Sequence, residues 1–130
     1  MNNLPSAAKI KGLVIDDEEI ILIYLKRLLS TWGYAADTIN ASQEAIDKIK
    51  KQDYHFILLD LKMPNINGEL LYNMIAELKP YIVNRIIIIT GDIANKSTAS
   101  FLYETKAPIL TKPIDSDKLK NTIDKIISNQ

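Results

Sequence analysis

The chain has no cysteine, one histidine, one tryptophan and only four glycines among its 130 residues. Without cysteine there is neither a disulfide nor a thiolate metal site, a pattern that suits the cytoplasm. No Gly-rich phosphate loop of either common type is present, so a flavin or nucleotide binder has little support. Charge of one sign is not in excess: 16 Lys and Arg balance 16 Asp and Glu. A general nucleic-acid binder would show a basic surplus or stripe. The lysines at 48, 50, 51, 118, 120 and 125 are interleaved with acids on helical segments and read as solvated faces. Long apolar runs are missing too. The longest, residues 20–25, is far short of a bilayer span, so no membrane insertion is expected. The first residues, Met1-Asn2-Asn3-Leu4-Pro5, lack the charged and apolar regions of a signal peptide.

What is present is enough for a core. Hydrophobic residues make up 47% and charged residues 25%, the balance of a folded domain rather than a disordered tail. The length suits one domain, read as a tail over 1–8 followed by a folded unit over 9–130. Short, continuous apolar runs at 12–15, 55–59, 85–89 and 108–110 fit strands buried on both faces, and 34–39 reads as a weaker edge strand. Between them lie helical patterns over 17–32, 42–51, 69–79, 96–105 and 115–128. Asp115 reads as an N-cap and Gly33 as a helix stop. Strand and helix alternate five times, which implies an α/β fold: a doubly wound parallel sheet with helices on both faces. There is no internal repeat, low-complexity stretch or linker.

In such sheets ligands bind beyond the C-terminal ends of the strands. The polar residues just past each strand are Asp16-Asp17, Asp60, Thr90-Gly91-Asp92 and Lys112-Pro113. They predict a site of three carboxylates, a hydroxyl and an ammonium. At 4 Å and an effective dielectric near 20, each carboxylate pair costs about 4 kcal/mol. Either one acid stays protonated or a hard cation binds. Mg²⁺ fits a few oxygen ligands and favours partners that add phosphate oxygens. Calcium fits less well, because no loop of alternating acids closed by a glutamate is present. Lys112 then faces a second anion, for which a phosphoryl group is the natural candidate. Each residue alone has an ordinary explanation: Asp16 and Asp17 as helix N-terminal acids, Asp60 as a turn former, Lys112-Pro113 as a loop pair. Their joint placement at successive strand ends carries the signal.

These residues resemble a known family. Val14-Ile15-Asp16-Asp17-Glu18, Leu58-Leu59-Asp60-Leu61-Lys62-Met63-Pro64 with Gly68, Thr90-Gly91-Asp92 and Lys112-Pro113 are similar, in order and spacing, to the receiver domains of two-component response regulators. The resemblance covers residues 9–128. It implies a flavodoxin-like fold with five helices around a five-stranded parallel sheet of order 2-1-3-4-5. It implies Asp60 as phosphoryl acceptor and Mg²⁺ held by Asp16, Asp17, Asp60 and the backbone carbonyl of Lys62. It implies that Thr90 and Lys112 each bind a phosphoryl oxygen, and that the Lys112–Pro113 peptide is often cis. The implied donor is a histidine kinase or a histidine phosphotransfer protein. The implied docking face for a downstream protein partner is the fourth helix, fifth strand and fifth helix. Such a chain is a switch that catalyses its own phosphorylation and slow dephosphorylation, and not a turnover enzyme.

The chain also departs from the pattern. Ile109 stands where many receivers carry an aromatic residue, and Thr105-Lys106 replaces a common Gly-Ala pair. The segment 90–113 resembles receivers fused to hybrid histidine kinases. Lys62 and Asp92 flank the expected phosphoryl site, where they could form a lid over the attacking water. His55 stands at a strand start, away from the active edge, and is not read as a phosphohistidine; Trp32 reads as a packing residue. Two rivals remain. A degenerate receiver would serve as an unphosphorylated docking module. A related aspartate-nucleophile phosphatase normally carries a second aspartate two residues after the nucleophile, where this chain has Lys62.

Overall fold

The computed structural model describes residues 9–63, 66–91 and 96–130, with backbone alone at 62, 63, 66, 96 and 97. The apolar runs become parallel strands: β1 (Lys11–Ile15), β2 (Ala35–Ile39), β3 (Phe56–Asp60), β4 (Ile86–Thr90) and β5 (Ile109–Thr111). They pair in the order β2-β1-β3-β4-β5, as the resemblance implies. The helices are α1 (Glu19–Thr31), α2 (Ser42–Lys51), α3 (Gly68–Leu78), α4 (Lys96–Thr105) and α5 (Ser116–Ser128).

The central strands are apolar without interruption because both faces of the sheet are covered. Alternate side chains serve different cores. Leu13, Ile15, Ile57, Leu59, Ile86 and Ile88 pack with α2 and α3 residues such as Ile49, Leu71 and Ile75. Val14, Phe56, Leu58, Ile87 and Ile89 pack with Leu25 and Leu29 of α1 and with Leu119 and Ile123 of α5. Every residue of β3 and β4 is buried, including the terminal Asp60 and Thr90. Both polar side chains are therefore carried into the interior by apolar strands.

The expected caps are in place. Asp115 accepts hydrogen bonds from the backbone N–H groups of Asp117 and Lys118, and Gly33 takes φ +84° after α1. Elsewhere the boundaries move for local reasons. α1 begins at Glu19 rather than 17, because Asp16 Oδ1 accepts from the Glu18 N–H at 2.9 Å and holds a turn before the helix. Two elements were not expected. Lys62–Met63 and Ile66–Asn67 form a short antiparallel ribbon. Pro80 ends α3 and opens a 3₁₀ helix over Pro80–Arg85, which leads into β4. No described helix is long and apolar enough to cross a membrane.

The edge strand β2 is tied down by charge. The buried Tyr54 hydroxyl donates to Asp37 Oδ2 at 2.6 Å, and Lys11 lies 3.3 Å from the same oxygen. Burial pushes the Asp37 carboxyl up, but the hydrogen bond from Tyr54 and the hydrogen bond and charge of Lys11 outweigh it and hold the carboxyl below its ordinary value. A depressed folded-state value stabilises the fold above the unfolded-state value and is lost as pH falls through the folded one. Tyr54→Phe should therefore cost about 1 kcal/mol at pH 7. In urea titrations from pH 7 to pH 3, that difference should shrink once the pH falls below about 4. A deficit unchanged across the series would show that the hydroxyl does not act through the charged carboxylate.

Candidate functional site

The strand register assembles the site. Ile15 lies opposite Leu59, so the chain leaves β1 through Asp16 beside the point where β3 ends in Asp60. This is the β1/β3 crevice, where the strand order reverses and α/β sheets open to ligands. Asp60 lies opposite Ile89, and Thr90 follows at the end of β4. Thr90 in turn pairs with Thr111, and its carbonyl accepts from the Lys112 N–H at 3.0 Å. The Lys112–Pro113 peptide is cis. Thus Asp16, Asp17, Asp60, Thr90 and Lys112 come to one edge, as the strand-end rule predicts.

The side chains then converge. Asp16 and Asp60 are each only 2% exposed. The Lys112 ammonium donates to Asp60 Oδ2 at 2.9 Å, Asp16 Oδ2 at 3.2 Å and Glu18 Oε1 at 3.3 Å. Carboxylate oxygens of Asp16, Asp17, Glu18 and Asp60 all lie within 4.8 Å of one another. Burial alone would pull the Lys112 ammonium down. The hydrogen bond and charge of Asp60, joined by those of Asp16, overcome that and hold it well above the usual lysine value. Lys112 is accordingly a fixed cation over the whole physiological range.

One ammonium among four acids leaves a negative surplus. The donors are all hard carboxylate oxygens, a set that suits a hard divalent cation and offers nothing to soft metals. Lys62 enters the ribbon two residues past Asp60, which brings its carbonyl close in sequence to the cluster. The side chain of Lys62, and Asp92 entirely, lie outside the described residues, as does the lid expected of them. Glu18 is the residue that sequence reasoning left without a role. Its signal was the unbroken acidic run 16–18. The turn held by Asp16 is what brings the third acid back to Lys112.

Gly68 supports the site from below. A Cβ added there would lie 2.5 Å from Leu61 Cα and 2.7 Å from the Leu61 carbonyl oxygen. The first turn of α3 thus presses on the backbone immediately after Asp60, and only glycine permits it. Gly68→Ala should destabilise the protein by about 2 kcal/mol in urea denaturation. It should also lower divalent-cation affinity measured by calorimetry; a variant equal to the parent in both would refute the close approach. Lys112→Ala removes the partner of two buried acids and should cost about 3 kcal/mol in chelator at pH 7. Added divalent cation should recover more stability in this variant than in the parent, read from thermal unfolding with and without Mg²⁺.

The chain is similar to known proteins along nearly its whole length. The family model described as the response regulator receiver domain matches residues 13–124. The transcriptional regulatory protein ZraR of Escherichia coli (strain K12) is 27% identical over 117 residues, covering 90% of this chain and 26% of ZraR. Probable histidine kinase 1 of Oryza sativa subsp. indica is 36% identical over 64 residues, 49% of this chain and 7% of that protein. The chain thus spans about a quarter or less of these curated relatives. Among solved structures, a CheY-like response regulator receiver domain protein from Methanospirillum hungatei JF-1 superposes with a TM-score of 0.80 at 24% identity, covering 95% of this chain and 100% of the other.

Proposed function

Starting from the fact that this chain belongs to the response regulator receiver domain family, we propose that it is a phosphorylation-dependent switch in which Asp60 accepts a phosphoryl group. The observation that carries this reading is the contact of Lys112 with both Asp60 and Asp16 inside the four-acid cluster. That arrangement puts a nucleophilic carboxylate, a fixed cation and a set of hard-cation ligands at one strand edge.

Phosphoryl transfer needs in-line positioning and charge neutralisation more than covalent assistance. A carboxylate oxygen of Asp60 attacks the phosphorus of a phosphohistidine carried by a histidine kinase or phosphotransfer protein. The phosphorus–nitrogen bond breaks, and its electron pair returns to the imidazole, which takes up a proton. Asp16, Asp17, Asp60 and the Lys62 carbonyl would hold Mg²⁺, which supplies charge neutralisation at the phosphoryl oxygens when bound. Lys112 neutralises a further oxygen, and the buried Thr90 offers its hydroxyl to another. Water later attacks the phosphorus, the bond to Asp60 breaks, and the carboxylate and inorganic phosphate are released. With Lys62 where a related phosphatase has its general acid, the protein acts as a signalling acceptor rather than a turnover enzyme.

The output follows from the placement of Thr90 and Lys112. Movement of either toward the new phosphoryl oxygens bears on β5 and, through it, on the α4–β5–α5 face, where Tyr103 and Ile109 are exposed. A downstream protein partner in the cytoplasm would read that face. No observation favours the phosphate-independent docking module, since the acids and Lys112 are all in hydrogen-bonding or ligand-sharing positions.

Mass spectrometry after incubation with acetyl phosphate and Mg²⁺ tests this reading. One phosphate should be gained by the parent, and none by Asp60→Asn or by the parent in excess EDTA. A parent that stays at its unmodified mass would end the proposal.

A further inference from the structure

Glu18 takes no part in the scheme above, although its carboxylate lies 3.3 Å from Lys112 Nζ. It stands at the N-cap of α1, yet its side chain makes no capping hydrogen bond. The side chain is 61% exposed, while those of Asp16 and Asp60 are 3% and 2% exposed. Glu18 is therefore the most exposed member of the cluster, at its solvent side.

A lysine ammonium has three N–H donors. Asp16, Glu18 and Asp60 supply three acceptors, so the ammonium is saturated in the resting protein. Lys112 can gain a phosphoryl oxygen only by giving one of them up. Asp16 is buried and further fixed by the Glu18 N–H. Asp60 is the attacking group itself. Glu18 makes the longest of the three contacts, and an exposed ion pair is worth only about 0–1 kcal/mol. Its carboxylate can turn into water at least cost.

Resting on the receiver reading, we propose that Glu18 is a positioning residue that holds Lys112 away from the incoming phosphoryl group and must release it for transfer. Its negative charge also repels an anionic donor at the mouth of the site. Glu18 thereby slows phosphorylation by small donors while adding attraction for the cation held by its neighbours.

Two substitutions separate these effects. Glu18→Gln removes the charge. Glu18→Asp keeps the charge but is one methylene too short to reach Lys112. Incorporation of phosphate from acetyl phosphate at saturating Mg²⁺, followed by mass spectrometry, should be about two- to fivefold faster than the parent in both variants. Calorimetric titration with Mg²⁺ should show binding weakened about two- to fivefold in Glu18→Gln and near the parent value in Glu18→Asp. A merely helix-terminal role would lower thermal stability and leave both readouts unmoved. Rates equal to or below the parent in both variants, with Asp60→Asn still blank, would overturn the role of Glu18 and leave the receiver reading standing. Equal weakening of Mg²⁺ binding by the two variants would also overturn it, by placing the effect on the cation and not on Lys112. A parent that takes up no phosphate removes the receiver reading and this inference with it.

Discussion

Four carboxylates share one small volume at the sheet edge, and the only described cation among them is Lys112. Two of those acids are sealed from water, so their charges cannot be relieved by solvent. Like charges at such separations repel by several kcal/mol. The lysine offsets part of this through three hydrogen bonds, and the remainder is a standing demand for positive charge. That demand explains why the site would take a divalent cation. It also explains why Lys112 must be a lysine: a single ammonium with three donors reaches three separate oxygens, whereas the planar fork of an arginine suits one carboxylate at a time.

The sheet is the device that holds this repulsion in place. Buried apolar side chains on both faces of β1, β3 and β4 fix the strand register. The register in turn fixes which residue emerges first from each strand. Sliding β3 by one residue would turn Asp60 toward the opposite face and bring Leu59 or Leu61 to the cluster. The hydrophobic core therefore does the positioning, and the polar residues inherit it. Gly68 adds a local constraint of the same kind, since its missing Cβ lets α3 bear directly on the backbone after Asp60.

This division explains what could be read from the residues alone. Continuous apolar runs marked the buried strands, and the end of each run marked a site residue. Asp16, Asp17, Asp60, Thr90 and Lys112 were legible because parallel strands all point the same way. The start of α1 was misplaced by two residues, because the Asp16 side chain bonds the Glu18 N–H and competes with the helix. The ribbon beside Asp60 and the 3₁₀ turn before β4 left no periodic signal, being too short to show one. The contact of Glu18 with Lys112 was hidden for a different reason. It joins residues 94 positions apart, and only the completed sheet brings them together.

The absence of an aromatic residue at position 109 bears on how the site could speak to the surface. Ile109 is 39% exposed and has no polar atom to trade between two environments. The backbone nonetheless ties the site to the neighbouring strand. Thr90 ends β4, pairs with Thr111, and accepts the Lys112 N–H through its own carbonyl. The end of β4 is thus hydrogen-bonded both to the strand that begins at Ile109 and to Lys112 just past its end. Behind it, Phe101 of α4 packs edge-on against the buried Tyr72 of α3, with ring centroids 5.2 Å apart. That contact fastens α4 to the helix whose first turn bears on the Asp60 loop.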